Sequence, residues 1–254
     1  MTPASRGPAP AGDGPAGARA AETDSAPAQT EAPSADPTLQ PLRSAAEALQ
    51  RPLTEPQIAL LSGYLALLLR WNATYNLTAI RDPQAMVAQH LVDCLAAVAA
   101  LERRPGFGPG CRILDAGSGG GLPGLVLAAL HPEWQVTCID TVGKKVAFVR
   151  QAAGTLGLGN LQAVQGRLGP WRGGPFNLVT ARAFASLADL ARWTDPVLVR
   201  GGVWMAMKGH VPEAEIDALP AEIEVFHVEP LQVPGLDAQR CLVWMRRRRD
   251  TGPA

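Results

Sequence analysis

Residues 115–124 read D-A-G-S-G-G-G-L-P-G and follow the apolar pair Ile113 and Leu114. The pattern describes a strand that ends in a carboxylate, turns sharply through glycines and opens a helix at Gly124. Glycine is needed where backbone turns tightly or lies against a ligand with no room for a Cβ. A helix start adds unpaired N–H groups and a partial positive charge. Such a loop holds a nucleotide-like ligand. A turn without one would cost the ordering entropy of five glycines for no gain.

Two ligands compete for it. Gly119, Gly121 and Gly124 satisfy the dinucleotide spacing G-x-G-x-x-G, and Asp140 lies near the distance expected of a ribose-binding acid. A pyrophosphate, however, is anionic, and a carboxylate at the loop entrance opposes it. S-adenosyl-L-methionine carries a sulfonium and an ammonium, and Asp115 would attract both. The residues favour the methyl donor and leave a nicotinamide dinucleotide, hence an oxidoreductase, as the alternative.

The 254 residues suggest one or two domains. Residues 1–40 stand apart: seven prolines punctuate an Ala/Gly/Ser background, and no aromatic precedes Tyr64. Such a segment buries too little apolar surface to offset its ordering entropy, so it reads as a disordered tail. It lacks the basic start and apolar run of a signal peptide, and no later stretch has the ~18 uninterrupted apolar residues of a membrane span. The remainder, 41–254, reads as a single domain. Lys and Arg together number 23, as do Asp and Glu. Residues 1–55 hold four basic and seven acidic residues, so the rest carries three more bases than acids, a balance compatible with an RNA partner. The run Arg246-Arg247-Arg248-Arg249 reads first as a solvated end and second as a phosphate contact. Cys94, Cys111, Cys138 and Cys241 are scattered without a C-x-x-C pair, which supports neither zinc nor redox chemistry. No metal and no membrane is expected, and the location expected is the cytoplasm.

A helical front spans about 54–101. Thr54 can cap its first helix with Pro56 in the first turn, and Ile58, Leu61, Leu65, Leu68 and Leu69 follow at helical spacing. Asp82-Pro83 starts a second, with Met86, Val87, Leu91, Leu95 and Val98 as its stripe. Residues 103–110 are a linker. An α/β core follows over about 111–246. Strands are expected at 112–115, 135–140, 161–165, 177–181 and 203–207, with helices at 124–130, 144–156 and 187–199. Alternation of this kind implies a parallel sheet with right-handed crossovers. Two strands, 223–228 and 240–245, come last with only a Pro/Gly connection between them, which makes an antiparallel pair. The fold class expected is therefore α/β: a Rossmann-like, mostly parallel seven-stranded sheet with an antiparallel last strand, as in class I methyltransferases, preceded by a helical segment.

Open α/β sheets bind ligands at the strands' C-terminal edge. Asp140 ends the second strand, where its carboxylate can accept both ribose hydroxyls; its other reading is a cap for the next helix. Leu168 and Gly169 follow the third strand, where an adenine would lie. Arg182 and Lys208 end the fourth and fifth and together place two cations at a substrate mouth. His90, amid apolar residues, reads as a core or edge histidine. No G-x-S-x-G elbow is present, nor an Asn-Pro-Pro-Tyr-like element for deprotonating an exocyclic amine. Guanine N7 has a free lone pair and no proton, so its methylation needs no base, and placement suffices.

The order Asn76-Leu77-Thr78-Ala79, Arg81-Asp82-Pro83, His90-Leu91 with Asp93, Gly117-Ser118-Gly119 through Gly121-Leu122-Pro123-Gly124, Arg182-Ala183-Phe184-Ala185-Ser186-Leu187, Lys208-Gly209 and Leu231-Gln232-Val233-Pro234 resembles the bacterial small-subunit ribosomal RNA methyltransferase G family, also called the glucose-inhibited division protein B family. The resemblance covers roughly 55–246. It implies a methyltransferase that forms 7-methylguanosine at guanine 527, in the decoding region of 16S rRNA. Carried over, Gly117, Leu122, Leu168, Gly169 and Arg182 would contact the donor, alongside Asp115, Gly119 and Asp140; Arg182 and Lys208 would be the catalytic pair. The family often has an acid where this chain has Gly169, so contact there falls to backbone, and Gly120 replaces a common proline. The helical front would lie beside the RNA, with Lys144, Lys145 and Arg150 as candidates for phosphate. The partner implied is 16S rRNA, as the small ribosomal subunit or an assembly intermediate, acted on by a monomer.

Overall fold

The computed structural model describes residues 39–248. Three helices lead: α1 (Gln40–Ala48), α2 (Glu55–Tyr75) and α3 (Pro83–Glu102). Thr54 caps α2 with a full capping box: Gln57 N–H donates to Thr54 Oγ1 at 3.4 Å, and Thr54 N–H donates to Gln57 Oε1 at 3.1 Å. Asp82 caps α3 by accepting from Ala85 N–H at 2.7 Å. By length and composition α3 could cross a membrane, but 78% of its apolar window is buried inside the protein, so it is a core helix. Its stretch Val87–Val92 is π-helical.

The α/β part runs β1 (Arg112–Ala116), α4 (Gly124–Leu130), β2 (Gln135–Asp140), α5 (Gly143–Thr155), β3 (Leu161–Gln165), β4 (Phe176–Arg182), α6 (Leu187–Thr194), β5 (Leu198–Lys208), α7 (Glu213–Asp217), β6 (Ile223–Leu231) and β7 (Arg240–Arg247). The sheet order is β3-β2-β1-β4-β5-β7-β6. Pairing is parallel from β3 to β5, and β7 lies between β5 and β6, antiparallel to both. Successive side chains point to opposite faces of a strand. Ile113, Val136, Leu178, Met205 and Trp244 pack with α1 to α5, whereas Leu114, Ile139, Val179, Trp204 and Val243 pack with α6. Crossovers after β1 and after β4 therefore run on opposite faces, and the crevice between these strands' C-terminal ends is where such sheets take ligands.

The structure departs from the sequence expectations in two short helices that were not expected, α1 and α7, and at the edges of other elements. Of the expected tail, 1–38 lies outside the described residues, and Leu39 and Gln40 belong to the folded part: Leu39 is buried and Gln40 opens α1. β5 starts five residues earlier than expected because Gly201, at φ 80, lets the chain bulge; pairing with β4 jumps from Phe176↔Leu198 to Leu178↔Val203. The helix expected over 187–199 stops at Thr194, since Pro196 lacks the N–H needed to continue it.

Candidate active site

The glycine loop leaves β1 and is pinned from several sides. Ser118 N–H donates to the Ile139 carbonyl at 3.1 Å, Gly119 N–H to Asp140 Oδ2 at 2.9 Å, and Gly124 N–H to Asp115 Oδ2 at 2.8 Å. From α2, the buried Tyr64 hydroxyl donates to the Gly120 carbonyl at 3.0 Å. Two glycines are required by geometry. Gly117 has φ 67, a region L side chains rarely adopt. A Cβ on Gly124 would lie 2.5 Å from Cys138 Sγ and 2.8 Å from Asp115 Oδ2, so helix and sheet could not close.

Beside the loop is a cavity of about 540 Å³. Gly117, Asp140, Thr141, Leu168, Gly169, Phe184 and Trp193 are among its walls. The sequence thus placed Gly117, Asp140, Leu168 and Gly169 in one place. Asp140 accepts from Gly119 N–H and, through Oδ1, from Val142 N–H at 2.8 Å. A carboxylate has about four acceptor positions, so two remain for vicinal hydroxyls. A largely apolar, partly aromatic wall with one carboxylate, Asp140, and one cation, Arg167, fits an adenosine. A pyrophosphate fits less well, because the loop's N–H groups at Ser118, Gly119, Gly121, Leu122 and Gly124 are donated within the protein and are not free for an anion.

Asp115 is a correction. It does not stand at the loop entrance; it lies fully buried beneath the loop and does not line the cavity. Among the described residues its Oδ1 has no hydrogen-bond partner, and burial, outweighing the Gly124 N–H and the Arg182 charge, lifts its carboxyl to about 7. It holds the loop and offers a donor cation its field rather than a contact. Leu122 is likewise buried away from the cavity, and Gly119 acts through Asp140.

Arg182 is the second correction: it lines a different cavity, of about 420 Å³, together with Lys208, His90, Asp93, Ile80 and Arg240. Arg182 Nη1 donates to the Gln89 carbonyl at 3.0 Å and to Asp93 Oδ2 at 3.3 Å, while Arg240 Nε donates to Asp93 Oδ1 at 2.9 Å. Lys208 Nζ sits 2.9 and 2.8 Å from the two Glu215 oxygens. Ala183 has φ 55, strained for a residue with a Cβ, and lines this second cavity, while Phe184 lines the first. The end of β4 thus divides the two chambers.

His90 is buried, as expected of a core histidine, yet it also faces this chamber. Burial, with the Arg182 charge second, lowers it to about 4, so the ring is neutral at pH 7. Its Nε2 lies 3.1 Å from Thr78 Oγ1. Asn72 ties the loop behind it, accepting from Thr78 N–H at 2.9 Å and donating to the Ile80 carbonyl at 3.1 Å. Sequence reasoning takes Asp93 only as part of the His90-Leu91 motif and misses Arg240. A carboxylate inside an otherwise apolar helix is the signal that could have found Asp93; Arg240 is far away in the chain and has none.

The family model described as rRNA small subunit methyltransferase G matches residues 57–243. The chain belongs to that family. Among curated relatives of that name, one from Leptothrix cholodnii is 58% identical over 207 residues, covering 82% of this chain and 94% of its own. Another, from Acidovorax sp., is 54% identical over 212 residues, covering 81% and 93%. Among solved structures, coclaurine N-methyltransferase bound to N-methylheliamine and S-adenosylhomocysteine superposes with a TM-score of 0.51 over 83% of this chain and 94% of that one; at 10% identity it shares the fold. The cofactor is S-adenosyl-L-methionine.

Proposed function

We propose that the protein, as a monomer in the cytoplasm, methylates N7 of guanine 527 in the decoding region of 16S rRNA, on the small subunit or an assembly intermediate. One methyltransferase domain takes in the described residues 39–248. The observation that carries this is the pair of chambers on either side of the end of β4, one shaped for a nucleoside and the other lined with cations. The family membership and the relatives' names support it.

When bound, the donor supplies an electrophilic methyl on a sulfonium. Asp140 would hold its ribose, and Leu168, Gly169 and Phe184 would line the adenine's place. Buried Asp115, when ionised, favours positive charge over the loop through Coulomb attraction. Three cations, Arg182, Lys208 and Arg240, face two carboxylates, Asp93 and Glu215, so the second chamber keeps a positive balance for a phosphate-bearing substrate. Arg182, held rigid by Asp93, and Lys208 orient the unstacked guanine and its phosphate, since RNA loops are read through exposed bases. N7 is already a free nucleophile, so the chain supplies position and no base.

Two variants test the assignment. Asp140→Ala is expected to weaken donor binding about tenfold or more, the scale of a lost charge-assisted hydrogen bond. Lys208→Ala is expected to leave donor affinity unchanged and to impair methylation of the RNA. Wild-type donor binding and methylation by both variants would contradict the site.

A further inference from the structure

Among the described residues, the large apolar side chains that stand exposed are Tyr75, at 45%, and Val142, at 37%. Val142 adjoins the donor chamber, and Tyr75 is tied to the helix start that follows Val142. Val142 follows Thr141, which lines that chamber with Asp140. Tyr75 ends α2, and Lys144 Nζ at the start of α5 donates to its carbonyl at 2.7 Å. Trp71, one turn earlier, packs against Tyr75 with ring centroids 5.0 Å apart and against Phe148 of α5 at 5.6 Å. The end of α2 is thus fastened to the start of α5, and the Tyr75 ring is held in place while half exposed.

Cations surround this spot. Arg81 Nη2 donates to Asn76 Oδ1 at 2.8 Å, next to Tyr75. A Cβ built on Gly119 would lie 4.0 Å from Lys145 Nζ, which puts that ammonium over the glycine loop. Among the described residues none of Arg81, Lys144 and Lys145 is ion-paired. The C-terminal arginines differ: Arg246 pairs with Glu224 and Arg247 with Asp195, each at 2.6 Å. Unpaired cations next to an ordered, exposed aromatic ring are what single-stranded nucleic acid binds: every base has a π-face to stack, and every nucleotide brings a phosphate.

We propose that Tyr75, with Arg81 and Lys145, forms a platform for a nucleotide of single-stranded RNA next to the target guanine, the ring stacking on its base and the cations holding flanking phosphates. The position suits a neighbour of the reacting base. Ile80, which lines the guanine chamber, is five residues from Tyr75 and so no more than about 18 Å away. A ring already fixed by Trp71 loses little freedom when a base stacks on it, which favours binding. The platform rests on the rRNA reading above and adds to it where the strand lies.

The test compares Tyr75→Ala, Tyr75→Phe, Lys145→Ala and Arg248→Ala with wild type, on small subunits lacking base modifications. KM for subunits is measured across a salt series, and donor affinity by calorimetry. Tyr75→Ala is expected to raise KM about tenfold, the scale of one base–aromatic stack, with kcat and donor affinity kept, and Tyr75→Phe to restore wild-type KM. Lys145→Ala is expected to reduce the slope of log affinity against log salt by about one, and Arg248→Ala to leave it unchanged. An unaltered KM in Tyr75→Ala, a parallel loss of donor affinity, or a salt slope that responds to Arg248 instead of Lys145 overturns the platform. If wild type methylates subunits while Tyr75→Ala matches it, the platform alone falls; if wild type binds donor but methylates no subunit, the rRNA reading falls and the platform with it.

Discussion

Asp115 shows how much one buried carboxylate can decide. Its folded value of about 7 stands above the ordinary aspartate value of about 4. The folded chain therefore holds a proton that the unfolded chain releases first. The stability this contributes is complete below about pH 4 and is lost as pH rises through 7. His90 acts oppositely: its folded value of about 4 lies below the usual imidazole, so stability falls as pH drops from about 6.5 toward 4. The two offset each other in mild acid, and of the two only Asp115 remains active above about pH 6.5, below the range where the buried thiols begin to contribute. Asp115→Asn, whose amide oxygen can still accept from Gly124 N–H, is expected to remove the decline between pH 6.5 and 8. Denaturant midpoints across that range check it, and an unchanged decline would show that the carboxyl does not titrate there. The acid before the glycines was legible as important, but not its depth: burial depends on Cys138 and Gly124 closing over it, contacts that no local pattern shows. At Gly124 itself, an added Cβ meets Cys138 and Asp115 with no flexible neighbour to yield. Gly124→Ala is expected to cost about 1–3 kcal/mol, read as a fall in the urea midpoint at constant slope.

Among the elements, α2 reaches furthest. Its N-terminus is fixed by the Thr54 capping box, its middle holds the glycine loop through Tyr64, and its end carries Tyr75. Loss of the cap in Thr54→Ala is expected to cost about 1 kcal/mol in thermal or denaturant unfolding. Tyr64→Phe removes one buried hydrogen bond and is expected to cost about 1 kcal/mol while weakening donor binding, because the Gly119–Gly121 run loses its tie; calorimetry with the donor would show it. Most elements could be read from the chain because their signals are local: Thr54, Asp82 and the period of Ile58, Leu61 and Leu65 for the helices, and the apolar run at 135–140 for β2. α1 was missed although Leu42, Ala45 and Ala46 are its buried face, because a short Ala-rich helix next to a Pro/Ala tail has little contrast with it. The early start of β5 was hidden by Arg200-Gly201-Gly202, which looks like a turn and is a bulge.

For the whole molecule, the two chambers explain why site residues scattered from Asn72 to Arg240 act together. The sheet brings the ends of β1, β2, β4 and β5 to one edge, and α3 closes it with His90 and Asp93. The sequence identified the residues that end strands, Asp140, Arg182 and Lys208, because strand ends can be counted. It could not assign Arg182 to its chamber, since that depends on Asp93 drawing the guanidinium away from the donor. Ligand binding at the first chamber has a global consequence. S-adenosyl-L-methionine at a hundred times its dissociation constant is expected to stabilise the fold by about 2.7 kcal/mol, seen as a rise in Tm, whereas NADH at the same concentration leaves Tm unchanged. A shift with NADH alone would reverse the choice made at the glycine loop.

The central claim is met most directly by incubating the protein with small ribosomal subunits lacking base modifications and methyl-labelled S-adenosyl-L-methionine, then digesting the RNA and identifying the labelled nucleoside by mass. The expected result is one labelled species, 7-methylguanosine, mapping to guanine 527 of 16S rRNA. Label on another nucleoside, or none while the donor binds, would contradict the account.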